Sequence, residues 1–261
     1  MAMETVVLEG ICGLAAGVFG AITGLGGGVI LVPLLVSALH VPVLKAVSAS
    51  MVAVIATSMG ASVTYLRQGL TDVRLGMALE LTTVAGAVGG AFLAGWVVSD
   101  LLELLFAVFL FYTAFSLLRS KREQDRKGEE GDYSPGHYHN LPTGLFFSGL
   151  AGVLSTLLGV GGGIIKVPVM HRLMGISFRR AVATSSFMIG ITAAAGALVY
   201  WGRGQIDPLV AAPVAIGVYV GARSGAKLMP HLPVKFVRWL FAAVTLYMAL
   251  VMLRKGVSGL L

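Results

Sequence analysis

Two runs of glycine are the first residues that could do chemistry. Gly24-Leu25-Gly26-Gly27-Gly28-Val29-Ile30-Leu31-Val32-Pro33 returns 135 residues later as Gly159-Val160-Gly161-Gly162-Gly163-Ile164-Ile165-Lys166-Val167-Pro168. Glycine tolerates positive φ and close approach to the backbone. Gly26, Gly27, Gly28 and Gly161, Gly162, Gly163 therefore suit a helix that stops and restarts. The restarted helix opens with free N–H groups and a partial positive charge, which attracts anions. Lys166 adds a full charge beside the second run, where the first has Leu31. It is read as a cation that meets an anionic substrate. The alternative is a lysine that snorkels or is paired structurally.

Hydroxyls follow each run. Ser48, Ser50, Thr57 and Ser58 succeed the first, and Thr184, Ser185 and Ser186 the second. Ser50 and Ser185 are equivalent at the 135-residue offset. Ser50, Thr184, Ser185 and Ser186 are the candidate donors to substrate oxygens, with helix-to-helix bonding as the other use of such hydroxyls. Glu80, whose equivalent is Ala215, is the candidate for proton coupling, and Arg223, whose equivalent is Val88, for lining the pathway or marking its cytoplasmic end. Asp72 and Asp207 each precede a span and read as N-caps, with a proton relay as the alternative. His171 and Arg172 belong to a loop. His137 and His139 lack a cysteine or carboxylate partner and make a weak ligand set, so no metal and no tightly held cofactor is expected.

The elements that position these residues are set by composition. The chain has 261 residues, 57% hydrophobic and 12% charged, about half the charge of a soluble domain. That excludes an ordinary soluble globule and a disordered chain. The expected class is an all-α polytopic membrane protein, multi-pass in the plasma (inner) membrane. One cysteine, Cys12, excludes a disulfide framework within the chain. The net charge of +7 reflects membrane topology rather than nucleic-acid binding. The first ten residues hold Glu4 and Glu9 but no Lys or Arg, so no cleaved signal peptide is expected.

The glycine motif belongs to a longer duplication. Residues 13–119 align on 148–254 without a gap, matching Tyr65 to Tyr200, Gly69 to Gly204 and Asp72 to Asp207. The expected organisation is a first repeat over 1–119, a polar cytoplasmic linker over 120–141, and a second repeat over 142–261. In each repeat a Gly-broken first helix pair (5–22 with 29–39, and 142–158 with 164–174) precedes three full transmembrane helices. These are 44–66, 73–97 and 101–119, then 179–201, 208–230 and 236–254. Pro33 and Pro168 should kink the short pieces or limit their hydrogen bonding. Short, glycine-interrupted segments at matching places in two halves point to a transporter's binding site at the midplane. If the repeats are inverted, 14 Lys and Arg fall inside and 4 outside, setting Lys166 aside; parallel repeats give 10 and 8. The positive-inside bias favours inverted repeats, with both termini outside.

The doubled Gly-x-Gly-Gly-Gly-x-x-x-Val-Pro motif, each copy followed by Ala-Val and Ser or Thr, resembles the sulfite exporter TauE/SafE family, also called the toluene-sulfonate uptake permeases. The resemblance covers nearly the whole chain. It implies an integral membrane transporter for sulfite, sulfonates or other sulfur-containing organic anions, without naming the substrate or the direction. The expected function is a secondary transporter of such anions by alternating access, in contact with the lipid bilayer, with a coupling proton and a homodimer compatible with the sequence. A passive anion channel is the alternative. An enzyme is not expected: there is no His-Glu-x-x-His, no mid-span Ser and His pair, and no Gly-Lys-Ser/Thr after the glycines.

Overall fold

The computed structural model describes residues 2–37, 39, 41–97, 101, 104–105, 107–108, 110–111, 115 and 138–260. All regular elements among the described residues are helical. They are α1 (Ala2–Thr23), α2 (Gly28–Ser37), α3 (Val43–Arg67), α4 (Val73–Ala94), α5 (Leu141–Leu158), α6 (Gly163–Pro168), α7 (Phe178–Gly202), α8 (Pro208–Leu228) and α9 (Val234–Leu260). A π-helical turn, Val169–Leu173, continues α6, and a 3-10 turn, Met229–His231, ends α8. The expected span 101–119 falls mostly outside the described residues, as does the linker up to and including His137.

Among the described residues five helices are long and apolar enough to cross a membrane: Val43–Arg67, Val73–Ala94, Leu141–Leu158, Phe178–Gly202 and Pro208–His231. Leu141–Leu158 was expected among the shorter pieces. It starts one residue before the expected 142, with Pro142 in its first turn, where a missing N–H costs nothing and the fixed φ is already helical. Asp72 and Asp207 cap α4 and α8. Asp72 Oδ1 accepts from Leu75 N at 3.0 Å, and Asp207 Oδ1 from Leu209 N at 3.1 Å. Capping satisfies one of the donors that a helix start leaves unpaired.

The helices pack across the duplication. α1 lies along α8, and α4 along α5, while α3 and α7 pack on each other in the middle. Both long contacts depend on absent side chains. A Cβ on Gly86 would lie 2.1 Å from Gly149 O, and one on Gly221 would lie 2.1 Å from Leu14 O. These two contacts are equivalent at the 135-residue offset. Lipid offers no hydrophobic drive for helix association, so backbone approach of this kind supplies the attraction.

Hydrogen bonds sort the helix ends into two groups. At one end, Arg180 Nη1 donates to Gly69 O at 3.3 Å, Tyr138 Oη to Asp72 Oδ2 at 2.8 Å, and Asn140 Nδ2 to Leu173 O at 3.3 Å. At the other, Ser48 Oγ donates to Gln205 O at 2.7 Å, Lys45 pairs with Asp207 at 3.7 Å, and Arg203 Nη1 donates to Ala91 O at 3.1 Å. α3 therefore starts beside the end of α7 and ends beside its start, so the two run antiparallel.

Close approach at Gly86 makes a prediction within one helix. Gly86→Ala should destabilise the purified protein by about 1–3 kcal/mol, the usual cost of overpacking. Gly89→Ala, with nothing within 4 Å of the added atom, should be neutral or stabilising. Thermal unfolding of both variants in one detergent checks the contrast.

Candidate functional site

Each glycine run forms a loop that side chains would strain. Gly24, Gly26 and Gly27 have φ of 74°, 83° and 76°; Gly159, Gly161 and Gly162 have 69°, 84° and 74°. The loops pack against each other. A Cβ on Gly28 would sit 2.0 Å from Gly159 O, and one on Gly163 would sit 2.1 Å from Gly24 O. The break thus needs glycine twice over, for its φ angles and for the contact between loops.

Hydroxyls of α3 and α7 satisfy the carbonyls that the breaks expose. Ser50 Oγ donates to Gly159 O at 2.6 Å, and Ser185 Oγ to Gly24 O at 2.8 Å. Each serine holds the loop of the opposite half. Thr57 Oγ1 donates to Gly26 O at 3.0 Å. In this conformation Ser50 and Ser185 are engaged with backbone. Thr184 Oγ1 accepts from Asp72 N at 2.9 Å, near the end of α7 that lies beside the α3–α4 turn. The Ser186 hydroxyl is buried and has no partner among the described residues, while its carbonyl accepts from Ser62 Oγ at 3.2 Å.

The repeat is broken at Thr192, the equivalent of Thr57. Thr192 Oγ1 lies 2.5 Å from Glu80 Oε1, and Lys166 Nζ lies 2.8 Å from Thr192 Oγ1 and 3.2 Å from Glu80 Oε2. Glu80 on α4, Lys166 on α6 and Thr192 on α7 form a closed cluster, with residue exposures of 3%, 1% and 0%. The equivalents of Glu80 and Lys166 are Ala215 and Leu31, so each half gives one charge and neither charge has a counterpart in the other half. Lys166 is paired here with a carboxylate, the second of the two readings its sequence context allowed. The cluster holds one cation and one anion in a water-poor interior, and either partner alone would be an uncompensated charge. Thr192 was missed from the sequence; its alignment with Thr57 of the hydroxyl cluster was the available signal.

Arg223 is not part of this cluster. It is exposed on α8, where Nη1 lies 3.4 Å from Tyr219 Oη. It lines a surface cavity with Arg67 and Lys227. His171 sits in the π-helical turn, with Nδ1 2.8 Å from Ile176 O.

Two features carry weight for kinship: glycine breaks at matching positions of a duplicated helical chain, and apolar helices of spanning length. A family profile described as sulfite exporter TauE/SafE matches residues 10–252. The chain belongs to the sulfite exporter TauE/SafE family. Among its relatives is the probable membrane transporter protein YunE of Bacillus subtilis, 26% identical over 98% of this chain and 99% of that protein. The probable membrane transporter protein YdhB of the same organism is 28% identical over 85% and 90% of the two chains. The Escherichia coli probable membrane transporter protein YfcA is 23% identical over 90% and 85%. No solved structure matches the chain. Family and relatives, with the five apolar helices, make this protein a membrane transporter.

Pairing at Glu80 and Lys166 makes a stability prediction. Lys166→Leu and Glu80→Ala, each copying the equivalent residue of the other half, should singly destabilise the protein by about 3–5 kcal/mol. The double variant should recover most of that loss, because no charge is left unpaired. A double-mutant cycle of thermal unfolding reads the recovery directly.

Proposed function

We propose that the protein is a secondary transporter for small anions, sulfite or sulfur-containing organic anions, working by alternating access between two inverted repeats. One observation carries the reading: a lysine buried between the halves, held by a single carboxylate and a threonine. Antiparallel α3 and α7 support inversion. So does the gathering of Arg67, Arg74, Arg179 and Arg180 toward the end where residues 138–140 lie, with Lys45 and Arg203 at the other. On this account that end is cytoplasmic, the linker is cytoplasmic, both termini are outside and the membrane is the plasma membrane.

The chemistry follows from the pair. Lys166 offers one strong site for an oxyanion, and in the resting state Glu80 occupies it. A sulfonate, sulfite or carboxylate that reaches Lys166 takes the place of the Glu80 carboxylate. Glu80 then lacks its cation in a water-poor interior and takes up a proton. One proton thus accompanies each anion, and Glu80 is the coupling group. Thr192 can donate to whichever anion Lys166 holds. The glycine loops beside Lys166 let backbone N–H groups approach the substrate, and Ser185 and Ser50 keep the loops in register. Thr184 and Ser186 stand on the same helix as Thr192, and the unpartnered Ser186 hydroxyl is the readier of the two to donate. Gly26, Gly27, Gly28, Gly161, Gly162 and Gly163 form the moving contact between the halves.

A ligand that binds only the folded state raises the melting temperature. Purified protein screened against sulfite, thiosulfate, sulfoacetate, taurine and simple carboxylates should shift with a sulfur anion. Lys166→Ala should lose the shift. Glu80→Gln should enlarge it, since the lysine no longer has a competing carboxylate. An unchanged shift in Lys166→Ala would remove Lys166 from the site.

A further inference from the structure

A second cationic place lies away from the buried pair. The last turns of α3 and α8 enclose a cavity of about 300 Å³, lined by Arg67, Gln68, Arg223 and Lys227 toward one end and by Met59 and Val63 toward the other. None of its lining residues is acidic, and among the described residues no carboxylate pairs with its three cations. Cations gathered without a counter-charge repel one another unless an anion joins them.

The two ends of the cavity differ in chemistry. Met59 and Val63 are apolar, 63% and 49% exposed, and they sit on a membrane-spanning helix. Exposed apolar side chains on such a helix suit acyl chains. Eight residues of helix separate Met59 from Arg67, a rise of roughly 12 Å. That reach exceeds the thickness of one polar headgroup layer, roughly 5–8 Å. With Arg67 at headgroup level, the Met59 end of the cavity lies at hydrocarbon depth.

The basic character belongs to one end of the molecule. The equivalents of Arg67, Arg223 and Lys227 are Gly202, Val88 and Phe92. At that other place the Arg203 guanidinium lies over the Phe92 ring, 5.0 Å from its centre, and Arg203 donates to the carbonyls of Ala91 and Phe92. The opposite end has a capped, occupied corner where this end has an open cationic one.

We propose that this cavity binds the phosphate headgroup of an anionic phospholipid, with Arg67, Arg223 and Lys227 around the phosphate and Met59 and Val63 along the acyl chain. Basic pockets between spanning helices suit this ligand. A free inorganic anion would use the cations but leave the exposed apolar half unused. Because the pocket walls are α3 and α8, helices of opposite halves, a bound lipid bridges the two repeats. The proposal stands apart from the identity of the transported anion.

Native mass spectrometry of the full-length protein tests it, with phosphatidylglycerol and phosphatidylcholine of identical chains as probes and inorganic phosphate as a third arm. Phosphatidylglycerol should be retained at least tenfold better than phosphatidylcholine. Arg223→Gln should weaken it about fivefold, the effect of about one basic side chain near a membrane surface, and Arg223→Lys should restore it. Combined Arg67→Gln, Arg223→Gln and Lys227→Gln should erase the preference. Equal retention of the two lipids, or a preference that survives both Arg223→Gln and the triple variant, would overturn the proposal. So would displacement of phosphatidylglycerol by millimolar inorganic phosphate, which would mark a free-anion vestibule.

Discussion

A helix that stops inside an apolar interior exposes carbonyls that no water can reach, each costing several kcal/mol if left unpaired. This chain breaks two helices in that way, and much of its architecture answers the consequence. Gly24 O receives Ser185, Gly159 O receives Ser50 and Gly26 O receives Thr57. The donors come from α3 and α7, and each serine serves the loop of the other half. Thr57 serves its own half, but the carbonyls of Gly24 and Gly159 are met only from the opposite one. The two repeats are obliged to interlock, and the glycine-lined contacts of α1 with α8 and of α4 with α5 follow from that interlocking.

Against this symmetry the cluster of Glu80, Lys166 and Thr192 is an exception. A buried ion pair is a poor source of stability, because desolvation offsets most of its attraction, and the equivalent apolar positions Leu31 and Ala215 avoid that cost. Each half has an apolar residue at one of these positions and a charged one at the other, so the symmetry is broken in both. On the proposed account the departure serves transport: a lysine that exchanges one carboxylate for a substrate anion needs a partner that can leave by taking a proton. The backbone breaks then provide mobility next to the exchange site, and the hydroxyls provide its limits.

Much of the fold was legible from residue order. Apolar runs of spanning length, a ten-residue motif repeated at a fixed offset, and Asp before each of two spans located the helices, the breaks and the caps. The site was legible only in part, because its meaning depends on what lies across the interface. Ser50 and Ser185 carried two readings, substrate or protein, and only their distances to Gly159 and Gly24 separate these for the present conformation. Arg223 occupies a helix whose sequence leaves open how near its side chain lies to water. Thr192 looks like any other hydroxyl. Glu80 and Lys166 did carry an unused cue: opposite charges in apolar surroundings, each with an apolar equivalent, should find each other.

The central claim is that Lys166 exchanges Glu80 for a substrate anion and that Glu80 carries the accompanying proton. Proteoliposomes loaded with a pH-sensitive dye, given an outside-to-inside gradient of a sulfur anion that stabilises the protein, test it most directly. Anion entry through the wild-type protein should acidify the lumen in proportion to anion flux. Glu80→Gln should allow anion exchange yet abolish the linked acidification. Acidification per anion that is the same in wild type and Glu80→Gln would contradict the account.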